Sequence, residues 1–383
     1  FYFRSLIDLL YSNVSSMCHI FPLHLLVPLL TIWADIYISL RIHYSTLCPS
    51  YHFINRMGSS SDIERLDSMD MYLSPDLDTM NLLEEEVKEN RPPLQIVWKN
   101  IFTFSFAHIL SLIGAYQFFF VATWSTFFWA ILLHFIGIIG ITAGAHRLWS
   151  HRSYKATYNT RILLMLACTL SHQNDVIEWA RDHRCHHKWT DTEADPHNSK
   201  RGFFYSHVGW LLTKKSEKLK EMGSKIDISD LLNDPVLSFQ RRHYHLLVIN
   251  ICFLLPAAIP VYLWNETPIV AFLVASIFRY IFTLNSTFLI NSAAHMFGYK
   301  PYDASITPVE SIWTNLQAAG EGGHNFHHTF PQDYRASEFS HLTNWTRTVL
   351  DGMAYIGMVY DRKTVSDQVI SRQKERKGDH NCH

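Results

Sequence analysis

The stretch FFWAILLHFIGIIGITAGAHRLWSH, residues 127–151, changes from a long apolar run to a short segment that carries two histidines. Its first part, 127–145, is long enough at about 20 residues to cross a bilayer as a helix. His146 and His151 follow directly after that run. The stretch therefore predicts a transmembrane helix that brings candidate metal ligands to one face of the membrane.

Three further apolar stretches accompany this one, at 101–124, 246–264 and 269–290. Only Ser125–Thr126 separates the first pair of stretches, and only NETP (265–268) separates the second pair. Short connections join neighbouring elements, so we expect two helical hairpins in an all-α integral membrane protein. A soluble bundle with buried helices is the alternative, and four stretches of this length argue against it.

The positive-inside rule orients the hairpins, because neither short connection contains a basic residue. The basic residues next to the spans all lie on the other side of the arrangement: Lys99, Arg147, Arg152, Lys155, Lys214, Lys215, Lys218, Lys220, Arg241 and Arg242. Both hairpins should therefore dip in from the cytosol. This orientation predicts a cytosolic helical domain that carries every histidine cluster, with both ends of the membrane domain in the cytosol.

Composition supports a membrane protein and argues against nucleic-acid binding. Hydrophobic residues make up 48% of the chain and charged residues 17%, against roughly 25% charged residues in soluble domains. The net charge of −1 gives no basic surface for nucleic acid. The 23 histidines are the unusual feature, since histidine is the commonest metal ligand. The six cysteines form no CxxC pair, which is typical of a reducing compartment.

The ends of the chain differ from the predicted membrane domain, 97–360. Residues 1–56 are expected to be an extension that precedes a functional start at Met57 or a later methionine, with a signal-anchor segment as the alternative. The acidic to mixed segment 57–96 is expected to be a flexible cytosolic region. The polar tail, 361–383, is expected to be disordered.

Two HxxHH clusters are the strongest chemical motifs: His183, His186 and His187, and then His324, His327 and His328. Residues three and four apart share a helix face, so each cluster should direct three imidazoles into one arc. Partly protonated rings would repel one another there, whereas a metal binds their neutral form. At α-helical pitch His146 and His151 diverge by about 140° and should bracket a site. These eight imidazoles exceed the four ligands of a structural zinc and favour two metals.

His295 is a ninth candidate, and Asn291, one helical turn earlier, can bind a metal through water. Cys185 lies inside the first cluster, but the abundant imidazole makes a thiolate ligand the weaker hypothesis. Carboxylates commonly orient ligating imidazoles, and the nearby candidates are Asp175, Asp182 and Asp333. A membrane zinc transporter or metal sensor is a rival function, but it would place histidine and aspartate within its spans.

The chain resembles the membrane fatty acyl-CoA desaturases, in particular the stearoyl-CoA delta-9 type, over roughly residues 90–360. The motifs that carry the resemblance are long and unusual: GITAGAHRLWSHRSYKA (140–156), NDVIEWARDHRCHHKWTDTEADPHNSKRGFFYSHVGWLL (174–212), NSAAHMFGYKPYD (291–303) and GEGGHNFHHTFPQDYR (320–335). The resemblance implies that two hairpins are capped by a cytosolic helical domain with a histidine-ligated di-iron centre.

The resemblance also implies a ligand set for two iron ions at matching positions of this sequence. The implied ligands are nine histidines and one water-linked asparagine: His146, His151, His183, His186, His187, His295, His324, His327, His328 and Asn291. No haem-binding HPGG occurs in the chain, so the electron donor should be a separate protein. For this family that donor is cytochrome b5 with its reductase, and the membrane is that of the endoplasmic reticulum.

The substrate implied by the resemblance is a long-chain fatty acyl-CoA, which dioxygen and two electrons convert to a cis-unsaturated product. The positions that match headgroup contacts are Asn100, Asn174, Arg181, Asp182, Lys214 and Lys215. The positions that match the bent acyl tunnel are Gln173, Trp179, Thr287 and Phe288. Lys214 stands where relatives commonly have arginine, and Phe288 stands where they have tryptophan and its indole N–H. A related di-iron hydroxylase, or a desaturase that acts at another carbon, remains the nearest alternative.

Overall fold

The computed structural model describes residues 93–379 of the chain. The predictions for residues 1–56, and for all of 57–96 except its last four residues, lie outside the described residues. Those last residues join the folded part, where Ile96 forms an isolated antiparallel bridge with Thr213.

Helices make up nearly all of the secondary structure, and one short antiparallel sheet pairs Lys155 with Tyr360. In chain order the elements are α1 (Trp98–Phe120), α2 (Trp124–Ser150), β1 (Lys155–Ala156), α3 (Tyr158–Ser171), α4 (Val176–Lys188), 3₁₀ turns at Ser199–Arg201 and Gly209–Leu212 flanking α5 (Phe203–His207), α6 (Glu217–Ser224), α7 (Ser229–Leu232), α8 (Pro235–Arg242), α9 (Tyr244–Trp264), α10 (Pro268–His295), α11 (Ile312–Gln317), α12 (His324–Thr329), α13 (Trp345–Tyr355), β2 (Val359–Tyr360) and α14 (Asp367–Lys377).

Four of these helices, α1, α2, α9 and α10, are long and apolar enough to cross a membrane. Consecutive spans form two hairpins, as the sequence predicts. Large side chains such as Phe102 and Phe119 stay exposed along α1, 69% and 67% respectively, which suits contact with lipid. The chain is therefore a multi-pass membrane protein, and the predicted all-α class is confirmed.

The first hairpin connection lies earlier than the sequence predicts. The turn occupies 121–123, and Ser125–Thr126, the predicted connection, belongs to the first turn of α2. The Thr123 hydroxyl accepts a hydrogen bond from the Thr126 N–H at 3.4 Å and so caps the new helix. In the second connection Pro268 already begins α10, because proline is favoured in the first turn of a helix.

Glu266, in the second connection, joins the two hairpins at the end of the spans opposite the histidines. Its buried carboxylate accepts hydrogen bonds from the Thr123 N–H (3.0 Å), the Thr123 hydroxyl (2.8 Å) and the Thr126 hydroxyl (2.7 Å). It also accepts the Thr267 N–H at 3.0 Å. These donors satisfy a carboxylate that would be costly to bury alone.

Three spans contain π-helical segments: Gly140–Ser150 in α2, Ile249–Leu254 in α9 and Phe272–Phe278 in α10. A π-helix bonds residue i to residue i+5, so residues five apart return to the same side of the helix. The His151 N–H accordingly donates to the His146 carbonyl at 3.1 Å. Every residue of the segment in α2 is buried, which places both histidines inside the protein next to α3 and α4.

Helix α14 corrects the prediction of a disordered tail for residues 361–379, and the rest of that prediction, 380–383, lies outside the described residues. Ile370, only 2% exposed, packs in a cluster with Tyr302, Phe326 and Phe330. The Lys374 ammonium also pairs with the Glu338 carboxylate at 2.7 Å. The segment is polar overall, but the buried Ile370 and the Lys374–Glu338 ion pair hold the helix next to α12.

Candidate metal centre

The nine candidate histidines come together in the structure as two groups of imidazoles. The five-histidine group consists of His146, His151, His183, His187 and His327, and the four-histidine group of His186, His295, His324 and His328. Within each group, all the potential ligand nitrogens lie within 4.8 Å of one another. The groups adjoin, because the rings of His187 and His328 stack with centroids 4.0 Å apart.

Each HxxHH cluster contributes to both groups. From α4, His183 and His187 enter the five-histidine group, while His186 enters the four-histidine group. The cluster on α12 divides the other way, with one ring in the first group and two in the second. The prediction that each cluster projects from one helix face is confirmed, and that face lies between the two groups.

His146 and His151 lie closer together than the sequence predicts. At α-helical pitch they diverge, but in the π-helical end of α2 they are one turn apart and their ring centroids are 4.9 Å apart. They therefore belong to the same group instead of bracketing a site. The pattern HxxxxH fits a π-turn as well as it fits a helix end, and only the packed structure distinguishes these two cases.

The imidazoles face one another through their Nε2 atoms, with Nε2–Nε2 distances between 2.8 and 3.3 Å. Burial, reinforced by the neighbouring imidazoles, holds the pKa of most of these rings well below the usual value: His151, His183, His187, His324, His327 and His328. These six rings therefore favour the neutral form, which is the form that binds metals. Burial also opposes the charged form of His186, but the adjacent Asp195 carboxylate outweighs it and raises the pKa of that ring.

These distances fit metal coordination. A metal bound to imidazole nitrogens at about 2.0–2.1 Å places neighbouring donor nitrogens about 2.8–3.4 Å apart, from octahedral to tetrahedral arrangements. Neutral rings that direct so many Nε2 atoms at one point cannot all form hydrogen bonds with one another, since each Nε2 carries a lone pair or a single proton. Each group is therefore a site that can hold a metal ion, and Cys185, whose thiol points to the Ala194 carbonyl at 3.3 Å, belongs to neither.

Three carboxylates orient the imidazoles through their Nδ1 atoms, and the sequence did not single them out. Glu321 lies 3.0 Å from His146 Nδ1, Asp195 lies 2.8 Å from His186 Nδ1, and Asp191 lies 2.8 Å from His295 Nδ1. Such contacts fix the tautomer of a ligating histidine with Nε2 toward the metal. Burial opposes ionisation of Asp191 and Asp195, but the adjacent histidines outweigh it and lower both pKa values.

The aspartates predicted for this orienting role have other partners, so that prediction is wrong. Asp175 accepts the Glu178 N–H as the N-cap of α4, Asp182 pairs with Arg181 at 2.9 Å, and Asp333 pairs with Arg335 at 2.6 Å. Proximity in sequence misleads here, because Asp191 reaches a histidine 104 positions away.

Residues 122–364 match the family model described as fatty acid desaturase. The match covers more than half of the chain and contains all nine histidines of the two groups. The chain belongs to the fatty acid desaturase family. The predicted membrane desaturase is thereby confirmed, with its histidines as a candidate metal centre at the ends of the spans.

Several characterised desaturases are similar to this one over nearly their whole length. The Delta(9)-fatty-acid desaturase fat-6 of Caenorhabditis elegans is 58% identical over 307 residues, which cover 80% of this chain and 91% of the relative. The stearoyl-CoA desaturase of Homo sapiens is 46% identical, over 83% of this chain and 90% of the relative. The acyl-CoA Delta(11) desaturase of Choristoneura rosaceana is 50% identical, over 74% of this chain and 85% of the relative.

The desaturase residues predicted to line the acyl tunnel form two separate contacts. The Trp179 indole stacks on the His183 ring with centroids 4.9 Å apart and an interplanar angle of 21°. The Gln173 side-chain amide donates to the Thr287 hydroxyl at 2.9 Å and so joins the α3–α4 loop to α10. Phe288, next to Thr287, is buried. Their role in the tunnel stays a prediction.

Three of the predicted headgroup residues form one half-exposed ion-pair network on α4. Asp182 binds both Arg181 and Lys215, and the Lys215 ammonium also lies 3.6 Å from the Glu178 carboxylate. The network brings two cations and two carboxylates together beside α4. Glu178 is a member that the sequence did not suggest.

The remaining predicted residues lie outside these contacts. Lys214 is exposed, Asn100 donates to the Leu211 carbonyl at 2.7 Å, and Asn174 has a left-handed backbone (φ 70°) just before the α4 N-cap. Asn291 is half-buried at the end of the α-helical part of α10, one turn before His295. Their binding roles stay predictions.

Proposed function

We propose that this desaturase introduces a cis double bond at the delta-9 position of a saturated long-chain fatty acyl-CoA. The observation that carries the proposal is the pair of adjoining imidazole groups, which gather at the ends of the membrane spans α2 and α10. The relatives named for delta-9 and stearoyl-CoA desaturation support the substrate and the position of the double bond.

We assign one iron ion to each histidine group, with Asn291 as a water-linked contact. A methylene C–H bond in an alkyl chain is not acidic enough for any side-chain base, so acid–base chemistry alone cannot form the double bond. Zinc has no redox chemistry and would not serve. When bound, two irons supply the dioxygen-dependent oxidation that removes two neighbouring hydrogens, and the protein supplies ligands and substrate positioning.

The protein's own part is to hold the acyl chain in register with the histidines. Arg181, Lys214 and Lys215 suit the phosphates of coenzyme A, the guanidinium as a fork and the ammonium groups as point charges. Because Arg181 and His183 lie on the same helix, the distance from headgroup to metal is set by α4. Trp179, which stacks on His183, would form a wall next to the reacting carbons.

The contact between Gln173 and Thr287 would set the bend of the tunnel. It joins the loop before α4 to α10 beside the buried Phe288, so it closes a polar gap between two elements that flank the proposed acyl path. A bent tunnel would hold the acyl chain in the bent conformation that leads to the cis product. A straight tunnel would not favour that conformation.

The electrons would come from cytochrome b5 and its reductase on the cytosolic face of the endoplasmic reticulum membrane. The basic residues that flank the spans support this orientation, since the described connections 121–123 and 265–267 contain no lysine or arginine. Both ends of the membrane domain would then be cytosolic.

The test is expression in a desaturase-deficient cell, followed by location of the double bond in its lipids by mass spectrometry. Wild-type protein should yield delta-9 products, and His186→Ala should abolish them and lower the iron content. His341→Ala is a matched control, because His341 is half-exposed and belongs to neither group. Unchanged desaturation in His186→Ala would refute the proposed site.

A second candidate is desaturation at another carbon, favoured by the 50% identity to a Delta(11) desaturase. The two candidates share the metal centre and differ in how far the acyl chain reaches past it. Predominantly delta-11 products in the same experiment would select the second candidate and leave the metal site intact.

A further inference from the structure

The charges around the two histidine groups are unequal. Among the described residues, the carboxylate that contacts a ring of the five-histidine group is Glu321, on His146. The Arg147 guanidinium donates to this carboxylate at 2.8 and 3.2 Å. A second guanidinium near this group, that of Arg184, is paired with Asp230 at 2.7 Å. The surroundings of the five-histidine group therefore carry no net charge from these residues.

The four-histidine group has two carboxylates in contact with its rings, Asp195 on His186 and Asp191 on His295. Among residues 93–379, no lysine or arginine forms an ion pair with either aspartate. Lys300 feels the charge of Asp191 but forms no ion pair with it. The other groups that face these carboxylates are the His197 ring, whose Nδ1 lies 3.4 Å from Asp195, the Asp191 and His197 N–H groups, the Ser199 N–H and the Thr307 hydroxyl.

We infer that Asp191 and Asp195 make the four-histidine position the electron-rich one, which binds a metal more tightly and favours its oxidised state relative to the five-histidine position. The inference rests on the proposed di-iron function. A carboxylate that accepts the Nδ1–H of a ligating imidazole makes Nε2 more basic, and its negative charge stabilises the more highly charged metal ion. Arg147 cancels much of this effect for Glu321.

The two aspartates therefore act as positioning and tuning residues through His186 and His295, and neither contacts the metal. Their effect is expected at one metal position only. Loss of a contact of this kind typically lowers metal affinity about 10- to 100-fold.

The experiment uses the full chain, purified in detergent and loaded with ⁵⁷Fe. Mössbauer spectra recorded at stepped potentials report how many irons are ferric, and competition with a chelator reports the affinity of each equivalent. Wild-type protein should show two irons with different midpoint potentials. Asp195→Asn should weaken the binding of one iron, that of the four-histidine group, about 10- to 100-fold and bring the two midpoint potentials together. Asp195→Glu keeps the negative charge and should keep the two midpoint potentials apart.

Glu321→Gln is the matched control, and it should leave the affinity of the iron in the four-histidine group unchanged. Asp191→Asn should weaken the same equivalent as Asp195→Asn, and it replaces that variant if Asp195→Asn does not fold. Equal potentials for both irons in wild-type protein would overturn the inference, as would an equal loss of both equivalents in Asp195→Asn. Wild-type protein that desaturates acyl-CoA with two equivalent irons would refute the inference alone, whereas protein that binds iron without desaturating would refute the proposed function.

Discussion

Glu310 should make the protein less stable as the pH rises from 6 to 8, and Glu310→Gln should remove that dependence. The side chain is 3% exposed, and burial raises its pKa from 4.5 to about 8 despite the hydrogen bond from the Phe326 N–H at 2.8 Å. The folded protein therefore keeps a proton that the unfolded chain releases above pH 4.5. Stability is fully present below pH 4.5 and declines until the folded group ionises near pH 8.

The magnitude follows from the slope of one proton, about 1.4 kcal/mol per pH unit, or roughly 2.7 kcal/mol between pH 6 and 8. For a chain of this size that corresponds to a fall in Tm of about 3–5 °C. Thermal unfolding in detergent, followed by tryptophan fluorescence, measures it. The neutral amide introduced by Glu310→Gln can still accept the Phe326 N–H, so the variant should lose the slope but keep the fold. Equal slopes in both proteins would refute the reasoning.

Three further substitutions test other parts of the structure. Gly140→Ala would place a Cβ 2.3 Å from the backbone of α3 and should lower stability by about 1–3 kcal/mol, whereas Gly352→Ala, which meets nothing within 4 Å, should not lower it in the same unfolding assay. Lys215→Met should raise KM for acyl-CoA about fivefold with little change in kcat, as expected for a half-exposed ionic contact; an unchanged KM would contradict its role at the headgroup. Arg147→Met leaves the buried Glu321 carboxylate without its cation and should cost about 3–5 kcal/mol, whereas a loss below about 1 kcal/mol would show that the pair is dispensable.

Much of the fold was predictable because length and apolar composition alone identify a membrane span. The four spans and the two hairpins follow from runs of residues that are close in sequence, whereas the full set of nine histidines was implied by the resemblance to the desaturases. The error at Ser125–Thr126 has a local cause, since the Thr123 cap lets the helix begin before the polar pair. The prediction of disorder beyond residue 360 failed because one buried residue, Ile370, outweighs a polar composition.

The sequence identified the histidines that meet in the candidate site, but it did not identify the residues that surround them. Whether Gly140–Ser150 forms an α- or a π-helix depends on packing against α3 and α4, so the meeting of His146 and His151 could not be derived from spacing. The contact of Asp191 with His295 joins two segments that meet only in the folded protein. Sequence patterns predict which residues share a helix face, but they do not predict which carboxylate of one segment contacts a histidine of another.

Glu266 has a consequence for how a long acyl chain can enter and leave the membrane domain. The histidines join α2, α4, α10 and α12 at one end of the spans, and Glu266 joins the two hairpin connections at the other end. A scissor-like separation of the hairpins would strip a buried carboxylate of its donors, at about 1–3 kcal/mol or more for each unsatisfied group. We therefore expect lateral opening to occur by bending of individual helices between these two ends and not by separation of the hairpins. The π-helical segments Ile249–Leu254 and Phe272–Phe278 lie between those ends, where a helix with wider turns bends most easily.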